Sequence, residues 1–234
     1  MERDRLVPIL AVVGGALVLV LALVIGALVT NHSSKPSASN IQLDSINEML
    51  SGVPQHGFEL GNPKAKLTLV EFVDPQCPYC GEWSRTVLPT LVQSYVRTGK
   101  LRIEYRGLAF VGDDSDRLLR LALAAGLQNK LWNVVELEFE NQGTENSGYA
   151  TDALMRAIVE AVPGLDAKKA LATWNTSAVV PLIESAKKLS EQSFKEVATP
   201  SFLLGPTGAK PTQKITNTID PQSFISAINA QLSK

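Results

Sequence analysis

The spacing of apolar and polar residues divides this chain into four kinds of stretch. The first is Leu6 to Val29, an uncharged run of 24 residues rich in Val, Leu, Ile and Ala. At 1.5 Å per residue such a run spans a hydrocarbon core of about 30 Å with some tilt. The second kind is strand-like. Leu67–Val73 (LTLVEFV) is almost continuously apolar and β-branched, which predicts a central strand buried on both faces. Leu101–Tyr105 alternates, and Ser201–Leu204 and Gln213–Thr216 are short candidate strands around the turn Gly205-Pro206-Thr207-Gly208. Gly57–Leu60 reads as a short edge strand before the turn Gly61-Asn62-Pro63.

The third kind is helical. Asn40 caps a short helix from Ile41 to Leu50, and Pro78–Thr98 predicts a helix kinked at Pro89 with Gly99 as its C′ residue. From about residue 113 to 192 every apolar spacing is helical: Asp116–Asn129, Lys130–Glu140, helices capped by Thr151 and Asp166, and one opened by Ser177. Trp132, Trp174 and Phe139 are assigned to the core of that region, and Lys187-Lys188 to a solvated face. Asp220-Pro221 starts the last helix, to about Leu232. The fourth kind is polar: Thr30–Ser39 (TNHSSKPSAS) reads as a flexible tether.

The order strand, helix, strand, helical block, two strands, helix predicts an α/β chain: a central mixed sheet flanked by helices, with an all-helical insertion at about 113–192. The expected domain plan is a cytoplasmic N-terminus at 1–5, a transmembrane helix at 6–29, a linker at 30–40 and one folded domain at 41–234. Arg3 and Arg5 precede the apolar run, so the positive-inside rule orients a single-pass protein with its N-terminus in the cytoplasm and its domain outside the cell membrane. The competing reading is a cleaved signal peptide. The run exceeds the 7–15 residues of a signal h-region, and Val29-Thr30-Asn31-His32 makes a poor cleavage site.

Composition narrows the function. The 234 residues carry a net charge of −1, without the basic excess that nucleic-acid binding needs. Only two cysteines occur, Cys77 and Cys80, in Cys77-Pro78-Tyr79-Cys80 at the strand-to-helix junction. One turn apart on a helix, their Cβ atoms sit about 5–6 Å apart, within adjustment range of a disulfide. Cys77 at the helix start gains unpaired backbone N–H groups and the positive dipole end, which favour a thiolate. Pro78 suits the first turn, and Pro78 and Tyr79 tune the balance of dithiol and disulfide. A zinc site needs four ligands; the two histidines, His32 and His56, have no metal-ligand spacing to the motif. A purely structural disulfide closing so short a loop would stabilise little. No cofactor is implied.

The segments Gly61-Asn62-Pro63, Val70-Glu71-Phe72-Val73-Asp74-Pro75-Gln76-Cys77-Pro78-Tyr79-Cys80, Thr98-Gly99-Lys100 and Val197-Ala198-Thr199-Pro200-Ser201-Phe202 together resemble the DsbA-like thiol–disulfide oxidoreductases of the thioredoxin fold. The resemblance covers roughly residues 56–232. It implies that Pro200 is a cis proline beside the cysteines, that Thr199 and Pro200 meet an extended substrate, and that Glu71 is a buried acid beneath Cys80 that handles its proton. The other reading of Glu71 is a strand residue reaching the surface or paired with a lysine. The resemblance further implies exported cysteine-containing polypeptides as substrates and a membrane redox partner that returns the cysteines to the disulfide. A monomer is expected, because the chain has no room for a dimerisation domain. The leading function is the introduction of disulfides. The alternatives are a reductase or isomerase, and a chaperone-like binding module whose cysteines are incidental.

Overall fold

The computed structural model describes residues 43–216 and 218–234. The apolar run 6–29, the tether and the Asn40 cap lie outside the described residues. Among the described residues, no helix is long and apolar enough to cross a membrane.

Six strands form one mixed sheet: β1 (Gln55–His56), β2 (Glu59–Leu60), β3 (Leu67–Val73), β4 (Leu101–Gly107), β5 (Ser201–Pro206) and β6 (Gln213–Thr216). Their order is β1-β2-β4-β3-β5-β6, with β3 and β4 parallel and every other pair antiparallel. Glu59–Leu60 is therefore not an edge strand as the sequence suggested. It pairs on both sides, and β1 forms the edge.

β3 is buried at all seven positions, and its alternation separates two cores. Leu67, Leu69 and Val73 point into the larger core with Phe202 and Leu204 of β5. Val70 and Phe72 point the other way, to Leu203, Ala186 and Phe194. A strand covered on both faces has no polar side to offer, which is why its sequence does not alternate.

In the first core α1 (Leu43–Leu50), α2 (Pro78–Thr86), α3 (Leu88–Leu91) and α9 (Pro221–Leu232) lie against the sheet, and the same core continues into the helical block between β4 and β5. Trp83 of α2, Phe202 of β5 and Phe224 of α9 meet with ring centroids 4.9 Å apart for each pair involving Phe202. Such aromatic pairs add about 1 kcal/mol each beyond the area they bury. The single helix expected over 78–98 is broken. It stops at Val87, resumes as α3 around Pro89, and widens into a π segment at Val92–Val96. Proline has no N–H to give and crowds the preceding turn, so the break is its doing. Gly99 closes the segment at φ +69°.

Between β4 and β5 lie α4 (Asp113–Gly126), α5 (Leu131–Glu140), α6 (Asp152–Ala161), α7 (Ala167–Thr173) and α8 (Val180–Ser193). Three aspartates occupy the first turn of α4, where the helix dipole favours them. Thr151 accepts from the Leu154 N–H and Asp166 from the Lys169 N–H, as N-caps should. α8 begins at Val180, three residues later than Ser177 suggested. Trp132 and Phe139 are core residues, whereas Trp174 is half-buried beneath the Arg117 guanidinium, 5.2 Å from its ring centre.

Candidate active site

The site forms where β3 ends and α2 begins. Asp74 follows the strand with its carboxylate fully buried. It accepts four hydrogen bonds: from the Gln76 N–H at 2.9 Å, the Ser115 hydroxyl at 2.5 Å, and the Phe110 and Val111 N–H groups at 2.9 and 3.2 Å. Those donors come from the cysteine loop, from α4 and from the segment after β4. One carboxylate thus ties three parts of the chain together. Gln76 extends the knot: its side chain donates to Ser115 and accepts from the Asn146 N–H. From the end of α5, Gln142 donates to the carbonyls of Pro75 and Cys77 at 2.8 and 3.0 Å.

Gly81 leaves room for this contact: a Cβ there would stand 2.6 Å from Gln142 Oε1, so the Gln142 side chain would have to shift from its place.

Cys77 is the N-cap of α2, with extended backbone and Pro78 in the first turn. Its Sγ lies 3.3 Å from the Thr199 carbonyl oxygen, and the Thr199–Pro200 peptide is cis. Cys77 keeps 7% of its surface and Cys80 none, and both are free thiols. Their acidities diverge. The Cys80 thiol, hydrogen-bonded to Cys77, is the largest influence bringing Cys77 down to about 6; burial opposes it, and Thr199 and the backbone N–H groups of Cys80 and Tyr79 assist. Burial first, then the neighbouring Cys77 sulfur, pushes Cys80 well above the ordinary thiol range. The site therefore holds one ready nucleophile and one protonated partner.

Beside the sulfurs is a cleft of 380 Å³ lined by Tyr79, Ala198, Thr199, Pro200, Thr218 and Ile219. Tyr79 stands 61% exposed at its rim. Among the described residues, no group of three or more His, Cys, Asp or Glu could hold a metal ion.

The structure brings Cys77, Pro78, Tyr79, Cys80, Thr199 and Pro200 into one place. Glu71 is buried in mid-strand at 1% exposure, so it does not reach the surface, and among the described residues no lysine forms an ion pair with it. Burial, then Glu136, raises its pKa well above the carboxylate range. Its link to Cys80 is indirect. The groups that set the Cys80 acidity are Cys77, Asp74 and Thr199, and the buried Tyr105 phenol is the group on which Glu71 and Cys80 both act.

Sequence reasoning overlooked Asp74, Gln76, Ser115, Gln142, Tyr105 and Glu136. Two signals were available. Asp74 abuts the motif at the end of an apolar strand, a position where an acid needs donors. Glu136 and Glu138 sit in a segment apolar on every side, LWNVVELEFE, and such a helix takes its acids into the core with it.

The family profile described as Thioredoxin matches residues 55–229. This chain belongs to that family. Among curated proteins, a probable disulfide bond formation protein D of Bacillus anthracis is 29% identical over 207 residues, 85% of this chain and 88% of that protein. A protein of the same description from Bacillus cereus is 32% identical over 136 residues, 57% of this chain and 62% of that protein, so this match spans under two thirds of the relative. Oxidised BdbD from Bacillus subtilis superposes with a TM-score of 0.67 at 20% identity, covering 79% of this chain and 98% of that one. Wolbachia pipientis alpha-DsbA1 gives 0.65 at 19%, covering 80% and 96%. The particular form of the fold is thus DsbA-like, a thioredoxin sheet carrying a helical insertion.

Proposed function

We infer that this chain is a protein thiol–disulfide oxidoreductase that acts on exported cysteine-containing proteins and introduces disulfides into them. The observation that carries the reading is the pair of unlike sulfurs at the α2 N-terminus: Cys77 held near 6 beside the Thr199 carbonyl, Cys80 buried and protonated. The descriptions of the Bacillus relatives as disulfide bond formation proteins support it.

In the oxidising direction a substrate thiolate attacks Cys77 of the disulfide. The Cys77–Cys80 bond breaks, a mixed disulfide forms on Cys77, and Cys80 leaves as a thiolate that takes up a proton. A second substrate thiolate attacks the substrate sulfur of the mixed disulfide and expels Cys77. Cys77 is a good leaving group because its thiolate is stabilised, so the couple favours giving its disulfide away. Thr199 and Pro200 line the cleft and offer backbone to an extended substrate; Pro78 and Tyr79 flank the sulfurs and tune them. Glu71 handles the proton of Cys80.

The reading extends to the cell. The run 6–29 anchors the chain in the cell membrane with its N-terminus in the cytoplasm, and the domain 41–234 works outside as a monomer. A membrane redox partner accepts the electrons of the Cys77–Cys80 dithiol and restores the disulfide.

The deciding measurement is the reduction potential in glutathione buffers. A value more positive than roughly −180 mV supports the oxidase, and one approaching about −270 mV supports the reductase reading instead. Unchanged binding of unfolded chains by a Cys77→Ser variant, with no exchange activity in the parent, would leave only the binding module.

A further inference from the structure

The two ends of the sheet differ in charge. Cys77 stands beyond the C-terminal end of β3. At the other end the register gathers the starts of β3, β4 and β6 and the finish of β5: Leu67 pairs with Leu101 and with Pro206, and Leu204 with Gln213. Segments 61–66, 97–100 and 206–214 cap this end. Backbone hydrogen bonds tie them together, from the Leu67 N–H to the Lys100 carbonyl at 3.1 Å and from the Thr207 N–H to the Lys66 carbonyl at 3.0 Å.

The three segments carry Lys64, Lys66, Arg97, Lys100, Lys210 and Lys214, and no Asp or Glu. Lys64, Lys66, Lys100 and Lys210 are exposed, and none of them belongs to an ion pair among the described residues. Lys214 turns aside, 5.5 Å from the centre of the Phe194 ring. Arg97 donates to the carbonyls of Ser51, Glu48 and Met49 at the end of α1, and Glu48 brings one exposed carboxylate to the same corner. Arg97 also lines a hollow of 440 Å³ with Pro54, Asn62, Pro63, Val96 and Gly99.

The active-site end carries exposed acids instead: Glu82 on α2, Asp113 at the start of α4, Glu145 beside the Asn146 N–H that Gln76 accepts, and Asp220 after β6. Lys195 at that end is matched by Glu196 next to it.

We propose that the basic end rests on a bilayer of anionic phospholipid, so that the sheet stands end-on and Cys77 is directed away from the membrane. Like charges gathered on one face repel one another until something negative covers them. Cations spread over three loops make a broad face, which suits a charged plane better than an extended chain, and the hollow beside Arg97 gives a headgroup a place to enter. The proposal goes beyond the oxidoreductase reading and takes only proximity from the anchor reading. Polar residues 30–42 extend roughly 20 Å as a flexible chain. They lead to α1, whose far end Arg97 holds. β3 rises about 20 Å from Leu67 to Val73, so the cysteines stand clear of the headgroups by at least that length and meet chains arriving from outside.

The test is acetylation of the full-length chain reconstituted into vesicles, read by peptide mass spectrometry. In phosphatidylglycerol at low salt, Lys64, Lys66, Lys100 and Lys210 react about fivefold or more slowly than in phosphatidylcholine, the factor that even one cation at an anionic surface supplies. Lys168, Lys169, Lys188 and Lys195, exposed elsewhere, react alike in both. Salt at about 0.5 M removes the difference.

Equal acetylation of the four end lysines in the two lipids overturns the proposal. Protection by soluble polyglutamate as strong as that by phosphatidylglycerol assigns the face to an acidic polypeptide and overturns it as well. Carbonate extraction separates the anchor reading. If the chain is released, it is floated with phosphatidylglycerol vesicles. Flotation that salt reverses, and that a Lys64→Gln, Lys66→Gln, Lys100→Gln, Lys210→Gln variant with parental dithiothreitol exchange loses, upholds the basic face while the anchor falls. No flotation overturns both.

Discussion

At the residue scale the site is an exercise in unequal solvation of two identical groups. Cys77 keeps a sliver of surface and several donors; Cys80 has neither surface nor a counter-charge. Alkylation of the reduced protein by iodoacetamide therefore follows a single ionisation with a midpoint near pH 6, labels Cys77, and leaves Cys80 untouched. Peptide mapping of the labelled chain checks both statements. The same asymmetry sets a pH dependence of stability. The folded Cys77 thiol ionises below its unfolded range, so its thiolate contributes in full to the reduced fold only above the unfolded thiol's pKa of about 8.5, and that contribution shrinks as pH falls and is gone below about 6. Cys80 is shifted upward and stays a thiol, adding no slope below about pH 8. The urea midpoint of the reduced form, relative to the oxidised form, should drop when the pH is lowered from about 7.5 to about 5.

At the scale of elements, a few polar groups hold the junctions. Asp74→Ala leaves four donors without their acceptor, two of them in buried bonds, and should cost about 3 kcal/mol in urea unfolding. Asp74→Asn retains one acceptor oxygen and should cost less. Thr151→Ala removes only the cap of α6, for about 1 kcal/mol, without changing the rate of exchange. A comparable loss of activity would mean that α6 bears on the sulfurs in a way its position does not suggest.

The elements themselves were largely legible in the sequence. β3, β4, β5 and β6 and the caps at Thr151, Asp166 and Asp220 follow from runs, alternation and side-chain oxygens that act within a few residues. What escaped was non-local. The π segment after Pro89 and the interior position of Glu59–Leu60 depend on neighbours that arrive from elsewhere in the chain. The same holds at the site. Cys77 and Cys80 declare themselves by spacing, and Thr199-Pro200 by resemblance. Asp74, Gln142 and Glu136 acquire their meaning only once the insertion lies against the strand-to-helix junction.

At the scale of the whole molecule, the proposed anchor and the folded domain divide the work. The full chain should remain with membranes after alkaline carbonate extraction, and a chain starting at Asn40 should be released. Both should show the same reduction potential, because the groups that set the Cys77 acidity among the described residues all belong to the folded domain. A change of potential on removing residues 1–39 would mean that the N-terminal region reaches the sulfurs.

The two hydrogen bonds that the Gln142 side-chain amide donates to the carbonyls of Pro75 and Cys77 carry a consequence for assembly. They tie the backbone on either side of the reactive sulfur to the inserted helices. A chain whose inserted helices are not yet seated lacks both ties, and its cysteine loop is the less constrained for it.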